Sequence, residues 1–249
     1  MTENTRELDG AVAIVTGSAK NIGRAIALQL AAAGAAVVVN ARISREAAEA
    51  TAGEIAARGG RALVHLADVT SPEQVEGLVA AAVERFGRLD LLVNNAALRR
   101  NAPVTEISYE DWREVTASIL DAAFLCVRAS VPHLAAGGRG AIVNIGGVAG
   151  HAGVGGRAHV VAAKAGVAGL TKGLAAELAP QQIVVNCVAP GYVHTERDHI
   201  PPHFQERPVP LDRPGQPNEI AAMVRFLCGP QARYVTGQVI HVNGGWYMP

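Results

Sequence analysis

The sequence predicts a doubly wound α/β fold, with a parallel sheet and helices on both of its faces. Three observations predict it. From Ala11 onward, short β-branched runs alternate with longer Ala-rich segments of helical period, as repeated strand–helix units require. The strand-like runs are continuously apolar, the pattern of strands buried on both sides. The first unit passes from strand to helix through a glycine-bearing turn.

Strands are expected at 12–16, 36–40, 62–66, 89–93, 141–145, 183–188 and 238–242, and their common hydrophobic type argues for one sheet. Helices are expected at 24–33, closed by Gly34, and at 44–58, 72–86, 109–135, 157–179 and 217–228. One stretch, 194–216, breaks the alternation with prolines, mixed charges and the histidines His194, His199 and His203. So long a connection is a lid or binding loop, or else mobile. No internal repeat divides the chain, and 1–249 reads as one unit.

Composition narrows the partners. Apolar residues make up 49% and charged residues 18% of the 249, a globular balance. Lys plus Arg equals Asp plus Glu at 22 each, so no net charge draws the chain to nucleic acid or an anionic membrane, and a small-molecule partner is expected. Cys126, Cys187 and Cys228 are odd in number, widely spaced and set among apolar neighbours, the usage of reduced packing residues in a cytoplasmic protein. The first ten residues hold no apolar signal core, and no uninterrupted apolar run approaches the length that spans a bilayer.

A turn that leads from the end of a strand into a helix offers free backbone N–H groups and the positive end of a helix dipole, which suits a pyrophosphate. Thr16, Gly17 and Gly23 stand where such a turn needs them, with the glycines at the outer spacing of a dinucleotide fingerprint. By itself the turn reads equally well as an ordinary strand–helix connection.

In order along the chain stand Thr-Gly-Ser-Ala-Lys-Asn-Ile-Gly at 16–23, Ala-Asp-Val at 67–69, Asn-Asn-Ala-Ala at 94–97, Lys164 on a helix, Pro-Gly at 190–191 and Val-Asn-Gly-Gly at 242–245. Together they resemble the short-chain dehydrogenase/reductase family, over nearly the whole chain. The resemblance implies a Rossmann-type sheet of seven parallel strands, a nicotinamide dinucleotide along the C-terminal strand ends, and a homotetramer or dimer built partly on the helices at 109–135 and 157–179. It implies that Gly17, Lys20, Asn21, Ile22 and Gly23 carry the pyrophosphate and that Asp68 and Val69 border the adenine. Asn94 and Ala96 would line the ribose, while Pro190, Gly191, Val193 and Thr195 would face the nicotinamide. The family's middle glycine is Asn21 here, a residue that tolerates a left-handed backbone but adds a side chain near the phosphates.

No acid closes the second strand to grip the adenine ribose hydroxyls. The strand runs into Arg42, and Lys20 sits in the turn, two cations for an added 2′-phosphate, so NADP(H) is expected over NAD(H), with NAD(H) still possible. The bland reading of Arg42 is a solvated residue ahead of the Ser44 helix cap.

The family reduces carbonyls with a Ser that polarises the oxygen, a Tyr that gives the proton, a Lys that lowers the Tyr pKa and holds the ribose, and an Asn that anchors a water relay. The resemblance puts these roles at Gly147, Val160, Lys164 and Ile119, so Lys164 alone keeps the family's residue. The spacing from 147 to 160 is the family's own, and no gap hides a substitute. Candidate acids or bases are His159, beside position 160 but about 100° round the helix from it, and His151, after the fifth strand. Arg99, Arg100 and Arg157 suit an anionic substrate, or else are solvated surface. No metal site is expected, because Pro201 and Pro202 break any helix that would align His199 with His203.

Three functions follow as expectations. The first is an NADP(H)-dependent oxidoreductase on a small carbonyl or alcohol. The second is a non-redox lyase, dehydratase or hydrolase on the same fold, and the third a non-catalytic dinucleotide sensor or subunit.

Overall fold

A computed structural model describes residues 6–196, 204 and 207–249. Seven parallel strands form one sheet: β1 (Val12–Val15), β2 (Ala36–Ala41), β3 (Arg61–Leu66), β4 (Leu91–Asn94), β5 (Ala141–Ile145), β6 (Val184–Pro190) and β7 (Val239–Val242). They lie in the order β3-β2-β1-β4-β5-β6-β7, all parallel, which bears out the doubly wound Rossmann-type expectation.

Alternation along each strand sends side chains to two separate cores. On one face Ala13, Val15, Val37 and Val39 pack against α1 (Asn21–Ala32), α2 (Arg45–Ala57) and the later helix Pro217–Cys228, through Ile26, Leu30, Ile55, Ile220, Val224 and Leu227. On the other, Val12, Ile14, Val38 and Ile142 meet α3 (Pro72–Phe86) and the helices Ala122–Ala136 and Ala158–Leu178.

The long helix expected at 109–135 is three pieces: α4 (Tyr109–Thr116), a π turn (Ala117–Asp121) and α5 (Ala122–Ala136). Hydrophobic period cannot reveal one residue of excess in a helix, and such π turns gather at functional sites. The stretch Tyr109–Ala136 is long and apolar enough by length and composition to cross a membrane. Asp121 and Arg128 interrupt its apolar run without lowering its mean below that level. Within this fold α5 packs on α3 and β4.

Two further corrections bear on the site. The first helix begins at Asn21, three residues before its expected start, so Asn21, Ile22 and Gly23 belong to its first turn. A short helix α6 (Ala149–Ala152), unforeseen among glycines, follows β5 and precedes α7 (Ala158–Leu178). The helix after the 194–216 connection is α8 (Pro217–Cys228).

At the opposite end of the sheet from the strand C-termini, Asp90 is fully buried. It accepts hydrogen bonds from Val12 N (2.9 Å), from Arg88 Nε (2.8 Å) and from the Arg88 Nη2 (2.6 Å), with Arg139 Nε at 3.5 Å. Removing one member of such a set strands the others' polar groups. Asp90→Ala is expected to lower stability by about 3 kcal/mol, read as a lower urea midpoint, with the dinucleotide affinity of the surviving folded protein unchanged.

Candidate functional site

The strand order reverses between β1 and β4, and ligand crevices of open α/β sheets lie at such a reversal, beyond the strand C-termini. A cleft of about 600 Å³ opens there. Its walls include Gly17, Lys20, Asn21, Ile22, Gly23, Arg42, Asp68, Val69, Ala96 and Thr195, ten of the positions expected from the sequence.

The turn after β1 is held by contacts from two neighbouring strands. Gly17 turns the chain at φ +60°, a conformation costly for other residues. Ser18 Oγ donates to Val15 O (2.7 Å) and accepts from Asn40 N (3.0 Å), while Gly17 N donates to Asn40 Oδ1 (3.2 Å). The Asn40 amide in turn donates to His65 O and Ala67 O, so one buried side chain joins the turn to β2 and β3. From β4, Asn95 Nδ2 donates to Thr16 O (2.9 Å) and Gly17 O (3.0 Å), and Thr16 Oγ1 accepts from Asn95 N and Ala96 N. A Cβ on Gly23 would overlap Gly17 O and the Asn95 amide. Glycine is therefore what lets α1 start this close to the turn.

Helix α1 has no side-chain cap and no acid in its first turn. Its uncompensated positive end, with Gly17 and Gly23 keeping the backbone bare, fits a pyrophosphate. Asn21 holds φ 52°, the left-handed conformation its chemistry permits. Its Oδ1 accepts from Glu196 N (3.0 Å), so the added side chain ties the turn to the segment after β6.

Beyond β2, Arg42 lies 3.9 Å from the Asp68 carboxylate and stays more than half exposed. Burial opposes the Asp68 charge, but hydrogen bonds from the Thr70 hydroxyl and N–H, with Arg42 nearby, hold its pKa below the usual range. Lys20 and Arg42 stand on the same cleft wall.

The remaining expected positions are not on that wall. Asn94 is buried and donates its amide N–H to Asn144 Oδ1 (2.9 Å), which continues to Thr171 and braces β4 to β5 and α7, while Asn94 Oδ1 has no partner among the described residues. Pro190 ends β6, Gly191 fits tightly over Asn243, and Val193 is buried in a bridge to Gly215. Arg100 is held by Asp111 and Glu114, which leaves it unsuited to anchoring an anion; Arg99 lines the cleft. His199 and His203 lie outside the described residues. Sequence reasoning missed Asn40 and Asn95. Asn95 had a signal in the Asn-Asn doublet, whereas the reach of Asn40 depends on strand register.

Lys164 is 5% exposed and donates to Ile145 O at 2.6 Å, at the end of β5. Burial, then the positive charges of Arg99 and Arg157, push its pKa down to about 7 against a smaller opposing pull from Cys187. One helical turn earlier, Val160 is buried in an apolar cluster that also contains Ile119, Val115, Ala163, Val167 and Cys187. A Cβ on Gly147 would meet nothing within 4 Å. His159 is 1% exposed, and neither of its ring nitrogens has a hydrogen-bond partner among the described residues. His151 packs edge-on against His241 (4.7 Å between ring centres) and near Tyr247, and burial holds its pKa down. Neither histidine lines the cleft, and Lys164 and Gly147 also lie behind its lining residues.

A family model described as enoyl-(acyl carrier protein) reductase matches residues 17–247. The chain is 42% identical over 240 residues to a 3-oxoacyl-(acyl-carrier-protein) reductase of Staphylococcus aureus, covering 95% of this chain and 98% of the relative. It is 43% identical over 245 residues to the enzyme of the same description from Synechocystis, covering 97% and 98%. A crystal structure of a dehydrogenase/reductase from Sinorhizobium meliloti superposes with a TM-score of 0.93 at 37% identity, covering 98% of each chain.

Two outcomes test this geometry. Gly23→Ala forces Gly17 or Asn95 to move, and dinucleotide affinity measured by calorimetry is expected to fall at least about tenfold, the equivalent of 1.4 kcal/mol. The second concerns Lys164, whose folded pKa lies below its unfolded value of 10.5. The unfolded chain then binds the extra proton between pH 7 and 10.5, so this group costs stability at neutral pH and the cost is relieved as pH rises. Lys164→Met is expected to be the more stable protein at pH 7 in urea unfolding, with the gap closing toward pH 10; a constant gap contradicts the shift.

Proposed function

The chain belongs to the short-chain dehydrogenase/reductase family, and from that premise we propose that it is an NADP(H)-dependent oxidoreductase acting on a small carbonyl or alcohol. The observation that carries the cofactor choice is the pairing of Lys20 and Arg42 on the wall beyond β2, in a cleft where no carboxylate ends that strand. A guanidinium and an ammonium there favour a 2′-phosphate through charge-assisted hydrogen bonds. Asp68, 3.9 Å from Arg42, tempers that field.

The dinucleotide, when bound, supplies or accepts a hydride. The chain's own residues do the rest: the bare turn at Gly17–Gly23 and the open end of α1 hold the pyrophosphate, Asn40 and Asn95 fix that turn, and Val69 and Ala96 give apolar flanks to the rings. The Ser, Tyr and Asn of the family's mechanism are replaced by Gly147, Val160 and Ile119. Val160 and Ile119 share one buried cluster, so the two replacements are mutually compatible as packing. The 3-oxoacyl substrates named for the relatives make a 3-oxo ester or thioester the first carbonyl to try. Composition and the relatives support a cytoplasmic protein. Exposed Tyr109, Trp112 and Phe124 along α4 and α5 support assembly into a dimer or tetramer.

Calorimetric titration with NADPH and NADH tests the reading. NADPH is expected to bind at least about tenfold more tightly, and Arg42→Ala to remove most of that preference, since a hydrogen bond to a charged group contributes about 1.5–3 kcal/mol. Equal affinities in the unaltered protein, or tighter NADH, would overturn the cofactor assignment. Tight NADPH binding with no oxidation of NADPH by any carbonyl would favour the sensor or subunit reading.

A further inference from the structure

We propose that Lys164 Nζ is itself the proton donor to the carbonyl oxygen, a catalytic residue in place of the absent phenol. The proposal rests on the oxidoreductase reading above.

Two residues of the buried set among the described residues are a carboxylate and an ammonium, Asp90 and Lys164. Asp90 is matched by Arg88, Arg139 and a backbone N–H, a structural arrangement that accounts for its burial. Lys164 makes no salt bridge among the described residues; a single backbone carbonyl, Ile145 O, receives it. Burying a charge on those terms costs stability with no structural return, which marks a group retained for chemistry.

Its position suits the task. Ile145 closes β5, two residues before Gly147, where added side-chain volume meets open space. A substrate oxygen therefore has room beside the strand end that holds the amine. Val160 and Ile119 border the region and carry no proton to give. His159 lies about 100° round α7 from position 160, and His151 packs against His241 and Tyr247. The titratable or charged groups that act on Lys164 are Arg99 from the segment after β4, Arg157 at the start of α7, and the Cys187 thiol of β6. Burial and the two guanidiniums ready the ammonium to release its proton near neutral pH, the property that lets lysine serve in acid–base catalysis.

The step balances. The carbonyl carbon gains a hydride, with its electron pair, from the reduced dinucleotide, which is thereby oxidised. The C–O π pair takes the proton from Nζ to form the hydroxyl. Lys164 is left as a neutral amine and regains its proton from water.

The chain has three lysines, Lys20, Lys164 and Lys172, so lysine labelled with ¹³C at Cε gives a spectrum in which Lys164 is assigned by its loss in Lys164→Met. The titration of that signal in the full chain is to be compared with the pH dependence of kcat for ethyl acetoacetate reduction by NADPH. Expected are a Lys164 midpoint near neutrality, a kcat that falls about tenfold per pH unit above the same midpoint, and a kcat at least about 10²-fold lower in Lys164→Arg. Cooperative urea unfolding of Lys164→Arg and Lys164→Met, with kcat read at saturating NADPH, separates the loss of proton transfer from misfolding and from weakened ribose binding. Turnover by the unaltered protein with a flat kcat profile, an ordinary lysine midpoint, or full activity in Lys164→Arg overturns this assignment and leaves the oxidoreductase reading standing. NADPH binding without turnover of any carbonyl overturns both.

Discussion

The closeness of α1 to the end of β1 sets the geometry of everything around it. The contact of Gly23 with Gly17 O and Asn95 leaves no room for a methyl group, and through Asn95 it fixes β4 beside β1. Through Gly17, Ser18 and Asn40 it fixes β2 as well. Three strands thus converge on one bare turn at the point where the sheet order reverses. The cleft exists because the connections leaving β1 and β4 run to helices on opposite faces of the sheet.

The parts of this arrangement that follow from local chemistry were legible in the sequence. Gly17 and Gly23 declare the turn by spacing, Asn21 declares a tolerated left-handed residue, and continuous apolar runs declare strands covered on both faces. Features that depend on register were not. Asn40 is one more polar residue at a strand end until β3 is seen beside it, and Asn94 looks like a cleft residue until its amide is found on Asn144. Arg100 reads as an anion anchor until Asp111 and Glu114, eleven and fourteen positions further on, fold over it. Helix α6 was hidden because its four residues lie between glycines that argue for loop.

The interior one turn before Lys164 on α7 is apolar. Ile119 and Val160 come from different helices and meet in one apolar cluster, where neither brings a polar group that needs a partner. Gly147 adds no packing of its own and leaves its volume open. Lys164 thus stands between an apolar cluster and an open volume, held to β5 by its hydrogen bond to Ile145 O.

The π turn at Ala117–Asp121 carries a consequence for how such a chain can vary. A π turn takes up one residue in excess of the α-helical count, so the faces that α4 and α5 turn toward the rest of the protein keep the register of an uninterrupted helix. Ile119 sits inside that excess. A change of identity there is met by its packing against Val115 and Val160, not by a shift of register along either flanking helix. The excess residue thus places Ile119 between two helices whose spacing it does not set.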